Sequence, residues 1–500
     1  MRKRAFWVCL LGVVGCSPIA SRPQPQSLGG EASGPPADKA SEPATKPSAP
    51  RDSTQPAGRG GVDGGTNAAD GGGQSPATTP ADPAAAPDPD AGSPQPPVAG
   101  EPAGAVAGGK AATPRKPIAR LDLLFVVDNT NSMAAEQQSL QAALPQFIQA
   151  LTTGVSRSTW QPAFPPVRDL HIGVVSTDMG TAGFDFSSCR ADGGDDGRLQ
   201  SLPHGPDCAA SYPAFLSYGM DTPAERSRLA RDFACIAALG TGGCGFEQPL
   251  EAAFKALWPS TFRDAVGNTV EPNPYTFLSS TPEGTKGRGD VPSAQGGNLG
   301  FLRNDADDPS LIAVVVVTDE DDCSVRDSEV LKPANQLLPE SPYRMQDSNL
   351  RCFLNKDKLH DVVTRYAKGL HWLRLDDPRR VVFAAITGIP TTLVDAQARA
   401  GLNFEDAAMR DQFYDHILND PLMQEVVDPT TNPGTGTGNL TPSCSRSDAT
   451  GQLSTAYPPR RIVQLARSFG EQGIVQSICQ DDFGPAIDGV VELIARQLTK

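Results

Sequence analysis

Two short stretches carry the side chains best suited to chemistry. One reads Asp128-Asn129-Thr130-Asn131-Ser132, the other Thr318-Asp319-Glu320-Asp321-Asp322. In the first, a carboxylate and two hydroxyls recur at every second residue: Asp128, Thr130 and Ser132. In the second, Asp319 leads a run of acids. Carboxylate and hydroxyl oxygens are hard donors, which suit Mg²⁺, Mn²⁺ or Ca²⁺. Two carboxylates and two hydroxyls do not fill an octahedral shell, so water or an incoming carboxylate would supply the rest. Neutral hydroxyl donors leave such a cation undercompensated and attractive to an acidic partner side chain.

Each stretch comes after an apolar run of strand length. Residues 121–127 (LDLLFVV) precede Asp128, and 311–317 (LIAVVVV) precede Thr318. Runs ending in a polar turn and lacking alternation read as buried strands of a parallel sheet. Residues 170–176 and 381–387 are two more, the former ending in Thr177-Asp178. Between them lie helical patterns. Residues 134–152 place Leu140, Ala143, Leu144, Phe147, Ile148 and Leu151 on one stripe. Thr222 and Glu225 form a capping box, with Pro223 at the first helical position. Further helices are predicted at 250–258, near 358–370, and at 460–469 and 485–498. The alternation predicts an α/β fold, Rossmann-like and doubly wound. Its mainly parallel central sheet would carry helices on both faces and long disulfide-stapled insertions. Ligands of such sheets bind beyond the carboxyl ends of the strands, which puts Asp128 and Asp319 on one edge.

These residues resemble the von Willebrand factor A (VWA) family. Its metal-ion-dependent adhesion site uses a DxSxS motif after the first strand, a Thr before a middle helix and an Asp after the fourth strand. Asp128, Thr130 and Ser132 match DxSxS with Thr for the first Ser, and Asp319 matches the late Asp. The resemblance covers residues 121–498. It implies a non-catalytic binding domain holding a divalent cation, Mg²⁺ ahead of Ca²⁺ or Mn²⁺. Its partner would be a protein or cell-surface ligand offering a carboxylate. The middle Thr is the departure: in GCGFEQPLEAA that place falls to Glu247, with Thr241 earlier in the loop. Glu247 is expected either as a metal ligand or as an acid favoured by the dipole of the next helix. More narrowly, the sequence is similar to bacterial secreted VWA lipoproteins whose sites read like DNSxSM and TDEDDCS. Two other readings stand beside this one. Asp128-x-Thr130 with Asp319, Asp321 and Asp322 loosely resembles the haloacid-dehalogenase phosphatases, in which the first Asp attacks phosphorus with Mg²⁺ assistance. A metal-free scaffold of VWA shape is the other. Asn131 or Ser132 as a plain helix N-cap, and Glu320, Asp321 and Asp322 as a solvated acidic turn, are the structural alternatives.

The rest of the chain frames this domain. A net charge of −15 argues against nucleic acid as a partner. Residues 1–16 read as an export signal: a basic start, an apolar run too short to span a bilayer, then Gly15-Cys16. Val13-Val14-Gly15-Cys16 resembles a bacterial lipobox, with Cys16 the lipidated residue and Ser17 pointing to the outer membrane. Residues 17–117, rich in Pro, Gly and Ala, read as a disordered tether reaching about 50–60 Å. Residues 118–500 form the folded domain. Of ten cysteines, Cys9 and Cys16 belong to the signal. The other eight fit disulfides of an oxidising compartment. Nearest-neighbour pairing is expected: Cys189–Cys208, Cys235–Cys244, Cys323–Cys352 and Cys444–Cys479. Scattered histidines and the lack of CxxC or HExxH weigh against zinc. The acidic run 192–197 reads as a turn, and GTGTG within 428–448 as low complexity.

Overall fold

Six strands form the central sheet of the computed structural model, in the order β3-β2-β1-β4-β5-β8. The structure describes residues 118–500 except 158, 191–192, 220–221, 265, 306–308, 448–450 and 452. The export segment, Cys16 and the 17–117 stretch therefore lie outside the described residues, as do Asp192 and Asp448.

β1 (Arg120–Val127), β2 (Asp169–Ser176), β4 (Leu311–Val317), β5 (Val381–Thr387) and β8 (Gly473–Ser477) run parallel. β3 (Leu216–Tyr218) is an antiparallel edge. Every residue of β4 and β5 is buried, because helices cover both faces and leave no side for polar alternation. β1 breaks its apolar run at Asp122. That carboxylate accepts from the Arg303 backbone N–H and Nε, each at 2.8 Å, and from Ser310. Its charge is thus paired at the edge opposite the predicted site.

Helix α1 (Ala134–Thr153) packs with α2 (Pro223–Ala237) and α8 (Gly484–Leu498). Phe125 of β1 meets Phe147 and Phe233 there, ring centroids 5.8 and 5.1 Å apart. α1 stops where Gly154 turns left-handed (φ 70°) and gives its N–H to Ala150. The other group is α3 (Pro249–Leu257), a π-helical turn (Val362–Ala367) running into α5 (Lys368–Trp372), and α7 (Arg460–Ser468) with α6 (Ala407–Asn419). In place of the plain helix expected near 358–370, the π turn gathers Arg365 and Tyr366 onto the buried Glu251 carboxylate. The short α4 (Ser348–Leu354) and the hairpin of β6 (Cys444–Ser447) and β7 (Leu453–Ala456) belong to the insertions.

Two expected disulfides form, Cys323–Cys352 and Cys444–Cys479. The other two are nested rather than sequential: Cys189–Cys244 and Cys208–Cys235. The end of α2 lies against the 204–208 segment, where the Cys235 carbonyl accepts from the His204 N–H, and this leaves Cys244 to Cys189. The GTGTG segment also differs from a structureless tract. Gly434, Gly436 and Gly438 point their N–H groups at the Asp347 carboxylate, at 2.8, 2.6 and 2.9 Å. In the acidic turn, Asp195 accepts from Ser176, and Asp196 pairs with Lys255 and Arg288.

Candidate metal centre

β1 and β4 are neighbours around which the chain reverses its order of winding, the switch point where doubly wound sheets open a crevice. Val127 and Val317 are register partners, so Asp128 and Thr318 leave the sheet side by side. The Asp128 N–H reaches the Val317 carbonyl at 2.9 Å. Asp128 is fully buried. Its Oδ1 accepts from the Thr130 N–H (2.9 Å), Thr130 Oγ1 (2.8 Å) and Thr177 Oγ1 (3.2 Å). Its Oδ2 accepts from Thr318 Oγ1 (2.6 Å). Oδ1 is thereby filled, while Oδ2 keeps room for one more partner.

Thr130 lies 3.3 Å, oxygen to oxygen, from the exposed Ser132. Ser132 also hydrogen-bonds the Asp319 carboxylate. Neither hydroxyl is spent on a helix. The 3₁₀ turn Asn131–Met133 has Thr130 as N-cap without a side-chain bond, and α1 has Met133 as N-cap, also without one. The plain N-cap alternative for this turn therefore does not hold. Asp319 is 3% exposed, and its Oδ1 has no hydrogen-bond partner among the described residues.

Glu247, 4% exposed, joins the same group. It does not cap α3. The first amides of that helix are taken by Asp322 Oδ1 (to the Leu250 N–H, 3.0 Å) and Ser324 Oγ (to the Glu251 N–H, 3.1 Å). Glu247 instead hydrogen-bonds Glu320. The run after β4 is thus not a solvated turn. Asp322 caps α3, Asp321 receives the Arg461 and Ile462 N–H groups at the start of α7, and Glu320 faces Glu247. Neither the capping acids nor Glu320 was separable by sequence, since four acids in a row carry no sign of which way each points.

A glycine-rich loop before α3 closes the arrangement. The Gly243 N–H meets the Asn129 carbonyl at 2.7 Å. Gln137 spans from the Asp128 carbonyl to Gly240. The Cys323 N–H binds the Glu247 carbonyl at 2.8 Å, and the Gln248 N–H binds the Thr177 carbonyl at 3.0 Å. Cys189–Cys244 ties this loop to the one after β2, and Cys323–Cys352 ties down the one after β4. Asp178, in contrast, turns to the Gly180 N–H and toward Arg190. The site is thus assembled without Thr241, and Glu247 takes the place before α3.

Four carboxyls therefore converge: Asp128, Glu247, Asp319 and Glu320. Burial pushes all four up, and at Glu247, Asp319 and Glu320 repulsion from neighbouring acids adds to it. Glu320 is raised to about 7. Threonine hydrogen bonds offset part of the rise at Asp128. Among the described residues, no Lys or Arg forms an ion pair with any of them. Buried acids without a base call for a proton or a cation. The donor set fits a hard divalent cation. The open Oδ1 of Asp319, Oδ2 of Asp128, the two hydroxyls and Glu247 are the groups that would hold it. Among the described residues no three His, Cys, Asp or Glu side chains form a cage by themselves. A cation held there would need the hydroxyls and water as further donors.

No protein-family model matches the chain, and no curated protein matches it.

Proposed function

We propose that this is a binding domain of VWA type whose adhesion site is built around one divalent cation, Mg²⁺ for preference. One observation carries the reading. Thr130 and Ser132 present hydroxyls that no helix uses, beside the buried Asp319 oxygen that nothing satisfies among the described residues. Asp128, with its oxygens held by threonines, orients the set rather than reacting. When bound, the cation supplies a Lewis-acidic centre open to a ligand oxygen. The partner is a protein or cell-surface ligand. The domain would be displayed at the cell envelope through a lipid on Cys16.

The test is unfolding of the purified, oxidised protein with Mg²⁺, Ca²⁺ or EDTA. A cation at a hundred-fold its Kd stabilises the native state by about 2.7 kcal/mol. Wild type should show the rise and Asp128→Ala should lack it. Indifference of wild type to every cation refutes the reading. Phosphate release from an aryl phosphate, lost in Asp128→Ala, would replace it with the phosphatase reading.

A further inference from the structure

A fifth acid stands one helical turn beyond the hydroxyls, and a base from far along the chain holds it. Glu136 follows Ser132 by four residues, so it lies on the face whose Ser132 hydroxyl bonds Asp319. It is buried, and its charge bears on Asp319. Its Oε1 pairs with Arg446 at 3.4 Å, while Oε2 has no hydrogen-bond partner among the described residues. Arg446 belongs to β6, whose alternation turns Cys444 and Arg446 inward and Ser445 and Ser447 outward. Cys444 is bonded to Cys479, ahead of α8. Arg446 grips α1 a second time through Ser139 Oγ, at 3.0 Å. The far end of the same hairpin holds Asp319: the N–H of Tyr457, next after β7, meets the Asp319 carbonyl at 2.8 Å. One insertion thus fixes both Asp319 and the acid beside it.

We infer that Arg446 is a specificity-determining residue of the cation centre: it neutralises Glu136, keeps that acid out of the coordination shell, and so holds the site to Mg²⁺ with a place open for the partner. The inference rests on the cation-dependent reading of the site. A guanidinium stays charged at every working pH, so the pair does not depend on a protonation state. Without it, Glu136 would be a buried carboxylate with no counter-charge, a state that calls for a cation. The ion beside Asp319 would then be the charge on offer. An added carboxylate favours Ca²⁺ over Mg²⁺. Calcium accepts about 6–8 oxygens in flexible geometry, whereas magnesium demands an octahedron and keeps several waters. The same carboxylate would fill the place that a partner oxygen needs. Arg446 acts through Glu136 and touches no cation itself, and outer partners of this kind shift metal affinity by about 10–100-fold.

The experiment titrates the full oxidised chain with Mg²⁺ and with Ca²⁺ by calorimetry, and reads the thermal shift in the same samples. Wild type is compared with Arg446→Gln, Arg446→Lys and the double variant Glu136→Gln/Arg446→Gln. Arg446→Gln should tighten Ca²⁺ by at least about ten-fold and Mg²⁺ by less, moving the preference toward calcium. Arg446→Lys keeps the charge and should keep the wild-type preference. The double variant removes the acid with the base and should return to it. A hairpin that acts only as a brace gives another pattern: Arg446→Gln weakens both ions alike and the double variant recovers neither. Should the glutamine variant not fold, Arg446→Met, which keeps bulk against the Phe483 ring, takes its place in both backgrounds. An unmoved preference, an equal change for both ions, no return in the double variant, or a lysine variant that behaves like the glutamine one overturns the inference. If wild type ignores both cations, the cation-centre reading falls and takes the inference with it. If wild type responds and the preference does not move, the inference falls alone.

Discussion

Thr318 Oγ1 donates to Asp128 Oδ2 across 2.6 Å, and both residues are fully buried. The bond joins the carboxyl ends of β1 and β4 directly, one residue before Asp319. It favours the ionised form of Asp128 against burial and fixes how Asp319 leaves its strand. Thr318→Val keeps the shape and removes the donor. Leaving a buried carboxylate short of a partner costs about 1–3 kcal/mol. Urea unfolding should show that loss, with a smaller Mg²⁺ response, and Thr318→Ser should recover most of both. An unfolding curve matching wild type would show that the bond contributes nothing.

The acid cluster fixes the sign of the pH dependence. In the cation-free protein Glu320 titrates near 7 rather than 4.5, and Asp128, Glu247 and Asp319 are likewise raised, by burial first. Between those values the native state keeps protons that the unfolded chain has lost. The cluster's contribution to stability is therefore greatest at low pH and falls as pH rises from about 4.5 through about 7. A bound cation competes for the same oxygens, so it removes that fall and binds more tightly above neutrality. Melting temperatures across this range, with EDTA and with Mg²⁺, check both. A cation-free protein that grows more stable toward pH 8 contradicts the cluster.

Much of this arrangement is legible in the chain. Unbroken apolar runs such as Leu311–Val317 mark fully buried strands, and the polar residues at their carboxyl ends must gather on one edge of the sheet. β8 is not legible, because Gly473, Gln476 and Ser477 leave only Ile474 and Val475 as apolar signal. Spacing from the strands is enough to place Asp128, Thr130, Ser132 and Asp319. Distance from α3 places Glu247, but its direction depends on which residues cap that helix. Asp322 and Ser324 cap it from more than seventy residues away, which no local pattern encodes. The pairing of Cys189 with Cys244 is of the same kind, set by how α2 folds back.

Gly243 offers a test of how closely the glycine-rich loop must approach the first turn. A Cβ there would lie 2.1 Å from Asn129 Oδ1 and 2.8 Å from its carbonyl oxygen. Gly242→Ala meets nothing within 4 Å. Overpacking of this kind costs about 1–3 kcal/mol. Gly243→Ala should thus lose stability and cation response together, while Gly242→Ala keeps both. Equal behaviour of the two variants would mean that the loop yields without disturbing the site.

The Cys189–Cys244 disulfide separates the role of that loop from stability in general. It closes a span of 55 residues and anchors the segment that carries Glu247. Cys208–Cys235 spans 27 residues and lies inside the same excursion, away from the acids. Each removal, made as a double Ser variant, should cost about 2–4 kcal/mol, since each bond constrains the unfolded chain. The two should differ in function. Without Cys189–Cys244 the loop is held by backbone contacts such as Gly243 to Asn129, so Glu247 loses its fixed place and the Mg²⁺ affinity drops. Without Cys208–Cys235 the loop, the Asp128 turn and the end of β4 keep their bonds, and the affinity stays near wild type. Mg²⁺ titrations at a temperature where all three proteins remain folded make the comparison. Parallel losses in both variants would show that the disulfides act on the site only through overall stability.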